Sequence, residues 1–193
     1  QGDAAKAGAI YEMFAAPSEP RNLRYAAIEG QIAALGDKAT PRIIEVLAGD
    51  DLQLQRVAAK AARTVPGAPV TTALAEALPT LPVAAQSLLL YALADRGDAV
   101  ALAGVTQMTA SADASVRIAA LKALTVLGNA GSVPVLAKAA AAGQADEQGV
   151  ARQGLALLRG SDIDAAIVSQ IASSDVPTRI GLIRALSARN ATS

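Results

Sequence analysis

Residues of like character recur every 31 positions along this chain. From Ile43 the series is Ile43, Leu74, Val105, Leu136 and Ile167, aliphatic at every step. From Gly30 it is Gly30, Ala61, Ala92, Ala123, Gly154 and Ala185, small throughout. From Arg24 it is Arg24, Gln55, Gln86, Arg117, Gln148 and Arg179, only Arg or Gln. From Gln31 it is Gln31, Ala62, Leu93, Leu124, Leu155 and Leu186, apolar after the first member. Gapless series at one period imply an internal repeat. Such a unit cannot bury its apolar face alone and must stack on its neighbours.

Within one period the pattern is helical. Val116, Ala119, Ala120, Ala123, Leu124 and Leu127 recur at spacings of three and four. Asp113 sits where an N-cap belongs, as do Asp51 and Asp175, and the same slot elsewhere holds Pro20, Pro82 and Gln144. Gly128-Asn129 closes the helix, matching Gly36, Gly67 and Gly160. A second helix starts near Pro134 and carries Leu136, Ala139 and Ala140 inward.

The expected fold is therefore all-α, an α-solenoid of about twelve antiparallel helices forming one domain over 1–193. Complete repeats are expected at 20–50, 51–81, 82–112, 113–143 and 144–174. Residues 3–16 read as a lone second helix, with Ile10, Met13 and Phe14 matching Ile43, Val46 and Leu47 at an offset of 33. Residues 175–189 read as a lone first helix. Tyr11, Met13 and Phe14 concentrate large apolar side chains at the start, as a cap would. The final helix keeps the ordinary repeat pattern, which predicts that Ile183 and Leu186 lack a cover and that sequence continues beyond Ser193.

Composition narrows the chemistry. Hydrophobic residues are 52% of the chain but aromatics only 2%, so the core must be built from Ala, Leu, Val and Ile. Seventeen basic residues balance seventeen acidic ones, whereas a chain gripping phosphates shows a basic excess. With no Cys there are no thiolate sites, and with no His the commonest general base and transition-metal ligand are missing. No apolar run approaches the roughly 18 residues of a membrane span. The absence of Cys and the start at Gln1 lean toward an exported protein, periplasmic or secreted.

The run Val116-Arg117-Ile118-Ala119-Ala120-Leu121-Lys122-Ala123-Leu124, with Leu127-Gly128 and Val133-Pro134-Val135-Leu136, resembles a HEAT repeat. More narrowly, it is similar to the short HEAT-like repeats of phycobilisome lyases. Thr178-Arg179-Ile180-Gly181-Leu182-Ile183-Arg184-Ala185-Leu186 matches its first half, and Gln55-Arg56-Val57-Ala58-Ala59 matches more loosely. The resemblance covers nearly the whole chain. It implies a superhelix with first helices outside and second helices lining an inner face, and it leaves function open.

Three lengthwise series are candidates for function. The inner stripe is Glu45, Glu76, Gln107, Lys138 and Ser169, flanked at its start by Arg42, and it runs from acidic to basic. It reads as a solvated helix face or as a graded groove for an extended segment. The outer stripe is Glu29, Lys60, Tyr91, Lys122, Gln153 and Arg184. The Arg/Gln ladder reads as structural: Asp113 with Arg117, and Asp175 with Arg179, have the spacing of an ion pair on one helix. The acidic pairs Asp50-Asp51, Asp146-Glu147 and Asp162 with Asp164 lie at repeat edges and read as helix-start carboxylates.

The expectation is a non-catalytic scaffold with no cofactor and no metal. Its partner is a protein or peptide segment, or a fused domain of the same polypeptide, and not nucleic acid. The alternative is an accessory domain of a larger enzyme, or a bilin-lyase-like chaperone subunit.

Overall fold

The computed structural model describes the backbone of residues 2–190 and the side chains of residues 7–189. Twelve α-helices and no strand occur among them. They are α1 (Gly2–Phe14), α2 (Arg21–Leu35), α3 (Thr40–Ala48), α4 (Leu52–Ala62), α5 (Ala68–Ala77) and α6 (Val83–Arg96). After these come α7 (Leu102–Met108), α8 (Ala114–Leu127), α9 (Val133–Ala142), α10 (Ala145–Leu157), α11 (Ile163–Ser173) and α12 (Val176–Asn190). The first helices α2, α4, α6, α8, α10 and α12 begin at Arg21, Leu52, Val83, Ala114, Ala145 and Val176, at steps of 31. This is an all-helical repeat fold.

Local chemistry sets those starts. Asp51 accepts the Gln53 and Leu54 N–H groups, Asp113 those of Ser115 and Val116, and Asp175 that of Thr178. Of the three glycines expected to close first helices, Gly36 (φ 54°) caps α2, whereas Gly67 (φ 108°) is the N-cap of α5 and Gly160 (φ 141°) lies past the Leu158 C-cap of α10; all three take the left-handed region. Gly128 departs from this set: its backbone is extended, with φ −68°. There Asn129 closes the turn, accepting the Gly131 N–H while its own N–H donates to Ser132 Oγ.

The chain divides into two compact units, 1–96 and 97–193, so the repeat read at 82–112 contributes α6 to one and α7 to the other. In the first unit α2, α4 and α6 pack in succession, α3 packs on α5 and on α4, and α1 packs on α2. In the second, α8, α10 and α12 pack in succession, α9 packs on α11 and on α10, and α7 packs on α8. Like helices thus neighbour like helices within each unit.

The aliphatic series forms the core: Ile43, Leu74, Val105, Leu136 and Ile167 are all fully buried. Each such side chain contributes about 1.5–3 kcal/mol relative to exposure. The small series has a steric cause at two positions. A Cβ on Gly30 would lie 2.5 Å from the Tyr11 ring, and one on Gly154 would lie 2.9 Å from Thr125 Oγ1.

The first helix does not seal its end as its sequence predicts. Tyr11 packs over Gly30 and Phe14 is half-buried, yet Met13 is 66% exposed and Ile10 is exposed beside it. At the other end Ile183 is exposed and Leu186 half-buried. No helix is long and apolar enough to cross a membrane among the described residues.

Candidate functional site

The six candidate contact residues all lie on second helices: Arg42 and Glu45 on α3, Glu76 on α5, Gln107 on α7, Lys138 on α9 and Ser169 on α11. Core residues such as Ile43, Val46 and Leu47 turn the opposite side of α3 inward. Glu45, Glu76, Gln107, Lys138 and Ser169 are exposed, while Arg42 is half-buried. The Arg42 guanidinium is held twice, donating to Gln31 Oε1 at 3.0 Å and pairing with Glu45 Oε1 at 2.7 Å.

Two hollows flank α3 in the first unit. A cleft of about 740 Å³ lies between α1, α2 and α3, with Glu12, Gln31, Leu35, Arg42 and Glu45 on its walls. A shallower groove of about 630 Å³ lies between α3 and α5, floored by Ile44, Val70 and Ala73 and edged by Asp37 and Glu45. Glu45 borders both. Glu12, Asp37 and Glu45 are the carboxylates on these walls, and the Glu45 charge is offset by its pair with Arg42. In the second unit Lys138 borders a hollow of about 320 Å³ between α9, α11 and the start of α12, with Gln170 and Asp175. Glu76, Gln107 and Ser169 border none of these three hollows.

The Arg/Gln ladder ties repeats together. Arg24 donates to Asp51 at 2.9 Å, and Tyr25 donates to the same carboxylate at 3.0 Å. Burial pushes the Asp51 carboxyl up. The Leu54 N–H, the Tyr25 hydroxyl, the Gln53 N–H and Arg24 outweigh that and hold it below the ordinary 3.8. Gln55 donates to the Gly49 carbonyl at 2.6 Å and Gln148 to the Gly143 carbonyl at 2.9 Å, each closing the loop before its own helix. Arg117 does not settle on Asp113 as its spacing predicts. It binds the Ser111 and Ala112 carbonyls at 2.9 and 2.8 Å and pairs with Glu147 of the next repeat at 2.6 Å. Asp113 is committed to capping α8, and the Ser115 hydroxyl and the Val116 N–H hold its carboxyl low.

Glu29 and Lys60 of the outer stripe pair with each other at 2.8 Å, both well exposed. Asp162 occupies the N-cap position of α11 but makes no capping bond, and Asp164 accepts Arg189 instead. Among the described residues, no group of three or more His, Cys, Asp or Glu side chains could hold a metal ion.

Sequence reading passed over Arg96 and Arg189. Arg96 donates to the Ala62 and Val65 carbonyls at 2.7 and 2.6 Å and to Thr71 Oγ1 at 2.9 Å, fastening the end of α4. Arg189 does the same for α10 through the Leu155, Leu158 and Asp164 oxygens. Their signal is an Arg at the end of a first helix, recurring only after three periods.

No family model matches the chain, and no curated protein matches it. In fold it is similar to solved structures. One is the crystal structure of an engineered protein, 19% identical, with a TM-score of 0.53, covering 97% of this chain and 90% of that one. At that identity the likeness speaks to fold alone, and it runs over nearly the full length of both chains as an all-helical repeat architecture.

Proposed function

We propose that the chain is a HEAT-like solenoid serving as a non-catalytic interaction module. Its first unit takes a basic, amphipathic protein segment on the face centred on α3. The observation that carries this reading is the position of Glu45 between two hollows with apolar floors and acidic edges. Apolar side chains of a segment would enter beside Leu35 or over Ile44 and Val70, and its Lys or Arg side chains would meet Glu12, Asp37, Glu45 and Glu76. The absence of Cys and His from the whole sequence leaves the face without the usual nucleophile and base, which supports binding over turnover.

A fluorescence-anisotropy titration with a labelled Lys/Leu amphipathic peptide tests the reading. The double variant E45K/E76K should weaken binding about tenfold or more, and high salt should weaken the wild type toward the same level. K60E, on the outer stripe, should bind as the wild type does. Equal losses in both variants, or none in E45K/E76K, overturn the assignment.

A further inference from the structure

The two hollows beside α3 lie on opposite sides of that helix, and Glu45 borders both. The cleft toward α1 and α2 offers Ala9, Ala34 and Leu35, and the groove toward α5 offers Ile44, Val70 and Ala73. A segment that fills both must pass over α3. An α-helix with its side chains is about 10–12 Å across. Packed neighbours such as α3 and α5 have axes about 8–10 Å apart. Apolar anchors that enter the two hollows are therefore about 10 Å apart.

That spacing selects the backbone of the partner. In an α-helix, residues i and i+7 share a face and lie about 10.5 Å apart. In an extended segment, residues on one face lie about 6.6 Å apart at i+2 or about 13 Å apart at i+4. The extended pair at i+3 has the right separation, but its side chains point to opposite faces.

Charge places the middle of the segment. Arg42 holds Glu45 Oε1 at 2.7 Å, yet the Glu45 side chain stays 67% exposed between the hollows. Glu12 on the cleft wall and Asp37 at the groove edge add two further carboxylates, and Arg42 is the one cation among the described linings. Lys38 and Glu76 border neither hollow.

We propose that the segment taken here is an α-helix lying across α3, with aliphatic anchors at i and i+7 and a Lys or Arg at i+3 or i+4. One anchor enters beside Leu35, the other over Ile44 and Val70, and the cation between them meets Glu45. This rests on the reading of the α3 face as a site for a basic amphipathic segment, and it adds the partner's backbone and spacing.

Fluorescence anisotropy with labelled Ala/Gln/Lys/Leu peptides of about 15 residues tests it on the whole chain. The peptides share one composition. The first has its leucines at i and i+7 with a lysine at i+4, and the second has its leucines at i and i+4. The third strictly alternates apolar and polar residues, and the fourth is the first with a proline between the anchors. The first should bind about tenfold or more tighter than each of the others, because they lose an anchor or the helix. It should also gain helical circular dichroism on binding. If the second, third or fourth peptide binds as tightly as the first, and E45K/E76K weakens it, the helical crossing is wrong while the α3 face stands as the site. If no peptide binds, or E45K/E76K changes nothing, both fall.

Discussion

Arg96 and Arg189, three 31-residue periods apart, hold register-equivalent partners in their own units. Arg96 binds the carbonyls of residues 62 and 65 and the side chain of residue 71, and Arg189 those of 155, 158 and 164. The carbonyls belong to the buried residues Ala62, Val65, Leu155 and Leu158. A helix C-terminus leaves such carbonyls without intrahelical partners, and a planar guanidinium serves several at once. Arg96→Ala should lower unfolding free energy by about 1–3 kcal/mol, the cost of leaving buried acceptors unmet. Arg96→Lys should recover only part of it, because an ammonium cannot reproduce the fork. Urea titrations of the three proteins measure the order.

Arg117 and Glu147 form the most enclosed ion pair between neighbouring first helices, with side chains 20% and 8% exposed. Glu147→Ala leaves the Arg117 charge half-buried without its carboxylate and should cost about 2–4 kcal/mol. The double variant R117A/E147A should lose less than the sum of the singles, and the cycle reads the coupling directly. Additive losses would mean that the two side chains act independently.

Gly149 and Gly154 lie in the same helix, α10, yet should respond to alanine with opposite signs. Nothing lies within 4 Å of a Cβ on Gly149, so Gly149→Ala gains helix propensity and should stabilise by about 0.5–1 kcal/mol. A Cβ on Gly154 would meet Thr125 Oγ1 at 2.9 Å and Leu136 Cδ2 at 3.2 Å. Overpacking there should exceed the propensity gain, for a net loss of about 1 kcal/mol. Thermal melts of the two variants decide it.

The carboxyls of Asp51, Asp113 and Asp175 are all held below 3.8 in the folded chain. For Asp113 the Ser115 hydroxyl leads, and for Asp175 the Thr178 hydroxyl. A group lowered on folding contributes stability above its unfolded value and loses it as pH falls through the folded one. The urea midpoint should therefore hold level down to about pH 5 and drop below about pH 4. The triple variant D51N/D113N/D175N keeps a capping acceptor at each site and should show a shallower acid drop.

The helix order was legible because caps and core residues repeat with the period: Asp51, Asp113 and Asp175 mark starts, and Ile43 to Ile167 mark the buried line. What escaped depends on neighbours in space. Arg117 prefers Glu147 to Asp113 because first helices pack side by side, a relation that intrahelical spacing does not contain. Arg96 and Arg189 bind backbone carbonyls, which carry no side-chain signature. Met13 looked like a cap by composition, and its exposure follows from having no helix before α1 among the described residues to pack on. The stripe from Glu45 to Ser169 was readable as exposed polar positions, but the hollows beside Glu45 and Lys138 arise only once the helices are packed.

Backbone amide NMR of the chain, titrated with the basic amphipathic peptide, tests the central claim most directly. Saturable shifts should concentrate in residues 37–48 and 69–77, that is in the turn before α3, in α3 and in α5, with Glu45 among the largest. Shifts centred instead on the outer stripe around Glu29 and Lys60, or spread evenly without saturation, would contradict it.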